Sequence, residues 1–166
     1  MTVSTAAHAT SQCQSSPVAT PDDALESLNR LLSHKSDSLF GFVLAASPHV
    51  PSGDEAILTA IADIARRHVA QARILTDLIL SLDGVPNPVG HDIGIADLNY
   101  LSVRHLLNEL IRYQEHVVAE TRAAIATHAS IPAIGETLRP IMAADATDLG
   151  RLKSFVQARP ASAPAA

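Results

Sequence analysis

Four stripes of apolar residues run through this chain at alternating three- and four-residue steps, and polar side chains interrupt each near its middle. The first stripe is Leu25, Leu28, Leu32, Lys35, Leu39, Phe42, and the second is Ile57, Ile61, Ile64, His68, Gln71, Leu75, Leu78, Leu82. The third is Tyr100, Val103, Leu107, Leu110, Gln114, Val117, and the fourth is Ile134, Leu138, Ile141, Asp145, Asp148, Leu152, Phe155. Stripes of this period face the interior of a helix bundle. Lys35, His68, Gln71, Gln114, Asp145 and Asp148 are therefore expected to meet inside it. Burying so many polar groups is costly unless they satisfy one another or hold a ligand, so this cluster is the first candidate site.

A chain of 166 residues suits one domain with a real core. Only 3% of its residues are aromatic, and the core candidates are mostly Ala, Leu, Ile and Val at helical spacing, which favours an all-α fold. A net charge of −5 offers no electrostatic basis for binding nucleic acid. Cys13, the one cysteine, excludes both a disulfide framework and a thiolate metal site. No apolar run reaches membrane-spanning length, and residues 1–20 lack the basic start and apolar stretch of a signal peptide, so the cytoplasm is the expected compartment.

Residues 1–20 and the Pro/Ala-rich 158–166 are expected to be disordered tails around a bundle over 21–157. Pro21-Asp22-Asp23 opens helix one, which is expected to end near Ser47-Pro48. Helix two runs from about Asp54 to Asp83 and stops at Gly84; helix three spans about Asp97 to Ala129. Helix four starts at Pro132 and fades near Gln157, with Pro140 expected to kink it or mark its true start. Short links join helices one to two and three to four. The link from Gly84 to Ala96 can span about 40 Å, enough to start helix three parallel to helix two. Two antiparallel hairpins joined by such a crossover make the ferritin-like arrangement.

The stretch Leu28-Asn29-Arg30-Leu31-Leu32, the ending Leu82-Asp83-Gly84-Val85-Pro86-Asn87 and the helix lengths resemble bacterioferritins and related ferritin-like proteins over roughly residues 22–157. That resemblance implies a four-helix bundle whose two metals are held by a Glu from each of two helices and a Glu-x-x-His pair from each of the other two. Laid onto this chain, the lone Glu positions hold Lys35 and Gln114, and the pairs hold His68 with Gln71 and Asp145 with Asp148. These are the residues that interrupt the stripes. None is the residue a di-metal centre requires, and the bridging positions carry His68 and Asp145. The haem-ligating Met position of a bacterioferritin holds Val69. Family membership implies ferroxidase or oxygenase chemistry; this ligand set argues against it and for a structural or interaction protein.

Three readings of the cluster follow. In the first it binds no metal: the Lys35 ammonium sits between Asp145 and Asp148, His68, Gln71 and Gln114 supply hydrogen bonds, and a protonated His68 completes the charge balance. In the second, His68, Asp145 and Asp148 hold one divalent ion as an unusual metal site. In the third, His68 acts as a base oriented by Asp145 or Asp148, with no nucleophile or oxyanion hole in sight.

The remaining polar residues have simpler readings. His105 with Glu109 and Arg112 with His116 are expected to be solvated helix-face pairs, and Arg66, Arg67 and Arg73 to decorate the outside of helix two. His34, His49, His91 and His128 show no ligand spacing. Thr121 is expected to bond back to its own helix, and Gly41 to permit close packing. Leu31, Phe40, Val43 and Leu44 lie off the first stripe and suggest a second apolar surface. By resemblance, a homodimer or a protein partner is expected on the outer face of helices one and two. With no sign of a fifth helix after residue 157, a twenty-four-subunit cage is not inferred.

Overall fold

The computed structural model describes residues 20–90 and 101–158. Three of the five helices among the described residues begin where side chains or proline deal with the free N–H groups of the first turn. Thr20 caps α1 (Pro21–Ser36) in a reciprocal box: its hydroxyl accepts from Asp23 N at 3.3 Å and Asp23 Oδ2 accepts from Thr20 N at 2.9 Å. Thr20 thus belongs to the bundle and not to a tail. The rest of 1–20, and 159–166, lie outside the described residues. A short α2 (Leu39–Ala45) follows, then α3 (Glu55–Ser81), α4 (Val103–Thr127) and α5 (Pro132–Gln157). Ser102 caps α4, and proline stands at the start of α1 and α5.

The single first helix expected from the sequence is two. Ser36-Asp37-Ser38 interrupts it, with Asp37 leaving the helical region at φ −104°, ψ 52°. Short polar side chains compete for backbone hydrogen bonds, which makes this a natural breaking point. The break resets the register. Phe40 and Val43 become fully buried, whereas Leu39 and Phe42 are half-buried. Leu31 is buried too, and Leu44 packs against the core, so these four do not form the second apolar surface. Gly41 is exposed, and a Cβ built there meets nothing within 4 Å, so it serves no close packing.

At its far end α3 stops through backbone geometry. Asp83 takes the left-handed conformation at φ 57°, its N–H bonds Leu80 O at 3.1 Å, and Gly84 N–H bonds Ile79 O at 2.9 Å. Space, not backbone conformation, makes Gly84 a glycine: a Cβ there would press on Leu25 Cδ2 and the Ile79 side chain. Helix α5 passes through Pro140 without ending.

Side-chain pairs set the helix directions. Asp63 meets Arg151, Arg67 meets Asp148 and Gln71 meets Asp145, so α3 and α5 run antiparallel. Asp54 pairs with Arg104 and His49 bridges Ser102, which puts the starts of α3 and α4 at one end. His128, at the end of α4, reaches Ser27 near the start of α1 at 3.1 Å. The chain leaving α3 climbs along α1: Asn29 Nδ2 donates to Val85 O at 3.3 Å, Asn87 N to Asn29 Oδ1 at 2.7 Å, and Val89 N to Ser33 Oγ at 2.8 Å. Helix three, expected from about Asp97, begins instead at Val103: Leu101 is not helical and Ser102 is extended and serves as the cap, while 97–100 lie outside the described residues.

Four helical rods therefore pack together, α1 with its continuation α2 counting as one. Among the described residues there is no strand, and no helix is long and apolar enough to cross a membrane. The interior has two apolar clusters. One is built around Leu28, Leu32, Leu75, Ile79, Ile134 and Leu138, the other around Phe40, Ile57, Ile61, Ile64, Leu107 and Leu152. A polar layer lies between them along every rod.

Candidate functional site

That layer holds all six residues that interrupt the stripes. Lys35, His68, Gln71, Gln114, Asp145 and Asp148 are each at most 4% exposed. Periodicity alone identified them, because each occupies an inward helix position regardless of its polarity.

Asp145 is the hub. Its Oδ2 accepts from Lys35 Nζ at 2.8 Å and its Oδ1 from Gln71 Nε2 at 3.1 Å; Gln114 Nε2 donates to its backbone carbonyl at 3.2 Å. Burial lowers the Lys35 pKa, and the Asp145 carboxylate opposes that shift by its charge and by its hydrogen bond.

Asp148 departs from expectation. Its carboxylate pairs with Arg67, whose side chain is 39% exposed and reaches in from the edge of α3. Lys35 is therefore not shared between two aspartates, and Arg67 is not a mere surface decoration. The hydrogen bond that Arg67 donates to Asp148 raises the Arg67 pKa. Two cations, Lys35 and Arg67, face two carboxylates, and the layer is electrically balanced without His68.

His68 is neutral. Burial, then the charges of Lys35 and Arg67, push its pKa down to about 2. The protonated His68 expected from the charge count is thus corrected: Arg67 supplies the second positive charge, and a third would be repelled. His68 Nδ1 is 2.7 Å from the Ser38 hydroxyl, and its ring stands edge-on to Phe40 at 5.3 Å between centroids. The helix break makes the first contact: Ser38 occupies the N-cap of α2, makes no side-chain cap hydrogen bond, and turns its hydroxyl to His68. On the other side of the ring, Nε2 is 3.8 Å from Asp145 Oδ1, too far for a hydrogen bond. His68 Nε2, Gln71 Oε1 and Gln114 Oε1 are buried without hydrogen-bond partners.

The metal reading of His68, Asp145 and Asp148 fails on convergence. Lys35 engages one carboxylate, Arg67 engages the other, and the three donors do not gather around one point. A general-base role for His68 fares no better, since the ring is fully buried and its protonated form strongly disfavoured.

The described residues do contain one group with metal-ligand geometry, and it lies elsewhere. His34 of α1 meets His116 and Glu120 of α4, their ligand atoms within 4.8 Å of one another. His116 pairs with Glu120, not with Arg112, which pairs instead with Glu109. The i,i+4 spacing of His116 and Glu120 is visible in the sequence, but their partner His34 lies about eighty residues earlier, on a different helix. His128, expected on a flank, is 1% exposed, and Thr121 bonds back to Val117 O at 2.8 Å as expected.

Compared with known protein families, curated proteins and solved structures, the chain matches none.

Proposed function

We propose that this chain is a ferritin-like bundle in which an internal ion-pair network has taken the place of a di-metal centre, and that it works as a structural or interaction protein without ferroxidase activity. One observation carries the reading: at the positions that the family resemblance assigns to metal ligands, both carboxylates are already engaged by cations of the chain itself, Lys35 and Arg67. Ammonium and guanidinium supply two positive charges, enough to balance the two carboxylates without a metal ion. Helix directions support it too, since α3 and α4 start at one end and the link between them climbs along α1. The outer face of α3 is the candidate partner surface. Val69 and Leu80 are about half exposed on one side of it, while the apolar residues of α1 and α2 are drawn inward.

The test uses tag-free protein in a single series. Ferrous iron in air should oxidise at the buffer rate with protein present, and light scattering should report a dimer that Val69→Asp with Leu80→Asp dissociates. Accelerated iron oxidation that Asp145→Asn abolishes would overturn the metal-free core. A monomer at all concentrations would overturn the homodimeric form of the interaction role.

A further inference from the structure

Separate from the core network, His34, His116 and Glu120 stand at the edge of a cleft of about 630 Å³ between α1, α4 and the climbing link. We propose that these three side chains bind one divalent ion of the zinc type, with its fourth coordination position open to the cleft.

Distances make the first argument. Zinc bonds of about 2.0–2.2 Å in a tetrahedron place neighbouring donor atoms roughly 3.3 Å apart. His34 Nε2 is 2.8 Å from Glu120 Oε2, and His116 Nε2 is 3.6 Å from Glu120 Oε1, values that bracket this separation. All three ligand atoms already lie within 4.8 Å, so a central ion requires only small rotations of side chains. Donor chemistry makes the second argument. Two imidazoles and a carboxylate suit zinc; calcium and magnesium favour all-oxygen cages.

The surroundings hold the ligands in place. The Tyr113 hydroxyl donates to the backbone carbonyl of His34. The His34 ring stands edge-on to Tyr113 at 5.9 Å and to His116 at 5.2 Å between centroids, which limits how it can turn. Side-chain exposure rises from 11% at His34 through 28% at Glu120 to 58% at His116. One side of the ion would therefore rest on protein and the other would face solvent. Asn29, Arg30 and Ser33 line the same cleft, and a water or a small anion is the natural fourth ligand there. Bound metal would fasten α1 to α4, a pair that the core hydrogen bonds of Asp145 do not join directly.

Zinc titration of the full, tag-free chain by calorimetry, with cobalt absorption as a geometric probe, tests the site. One equivalent should bind and raise the melting temperature, and His116→Ala or Glu120→Gln should each weaken binding at least tenfold. His116 is exposed and Glu120 half-buried, and an unchanged metal-free melt verifies that the variants fold. Lack of zinc binding by the unaltered chain overturns the proposal, as does equal binding by the His116→Ala/Glu120→Gln double variant. Zinc lost instead in Asp145→Asn would place the ion in the core, overturning both this site and the metal-free reading of that layer.

Discussion

Replacing Lys35 with Met removes one partner from a pair whose members are at most 1% exposed and 2.8 Å apart. Asp145 would keep its hydrogen bond from Gln71 and would face a neutral His68. The orphaned carboxylate then has two options. It can stay charged, which for a broken buried pair costs about 3–5 kcal/mol. Alternatively it can take up a proton on folding; from an unfolded pKa of about 3.9 this costs about 4 kcal/mol at pH 7, at ~1.4 kcal/mol per pH unit. The second route sets a ceiling, so Lys35→Met should destabilise by about 3–4 kcal/mol at pH 7. The sign with pH follows. A carboxyl whose folded pKa is raised is penalised above its unfolded pKa and relieved as pH falls, so the cost relative to the unaltered chain should shrink to about 1.5 kcal/mol at pH 5. Lys35→Met/Asp145→Asn leaves a neutral amide that can still accept from Gln71, and should recover most of the loss. Urea unfolding of the three proteins at pH 5, 6 and 7 measures each quantity. A Lys35→Met cost below about 1 kcal/mol, the same at every pH, would refute a buried ion pair at this position.

Two further outcomes follow from the same structure. His68 is held neutral in the fold by burial and by Lys35 and Arg67, so the unfolded state binds the extra proton between about pH 2 and its ordinary value of 6.5. Stability should therefore fall on acidification below 6.5, by up to ~1.4 kcal/mol per unit, and a His68→Gln variant should show a shallower slope in urea midpoints between pH 7 and 5; parallel slopes would argue against a buried neutral ring. Gly84→Ala would drive a Cβ to 2.4 Å from Leu25 Cδ2 and 3.1 Å from Ile79 O. It should lower stability by about 1–3 kcal/mol, with partial rescue by Leu25→Ala; a neutral thermal melt of the single variant would show that the link does not press on α1.

Helical periodicity was enough to place Lys35, His68, Gln71, Gln114, Asp145 and Asp148 in one buried layer, because a stripe of period 3.6 specifies which positions face inward whatever occupies them. It also made the bodies of the two long helices on either side of the crossover legible, since stripes are local features, although α4 starts behind Ser102 and not near Asp97. What local pattern does not carry is the reach and rotation of one helix against another. Arg67 reads as an outward residue, yet its long side chain bends around α3 to Asp148, and that contact changes the charge balance and leaves His68 neutral. Ser36-Asp37-Ser38 reads as part of a continuous helix, yet breaking there lets Phe40 and Val43 pack inward and sets Ser38 against His68. His34 acquires His116 and Glu120 only because α1 and α4 lie side by side. Sequence by itself determined the buried polar layer and most of the apolar positions beside it, through the repeat of the helix; tertiary structure alone decided which of those side chains pair and how the break before α2 turns Phe40 and Val43 inward, because both depend on distances between helices that no repeat within one helix encodes.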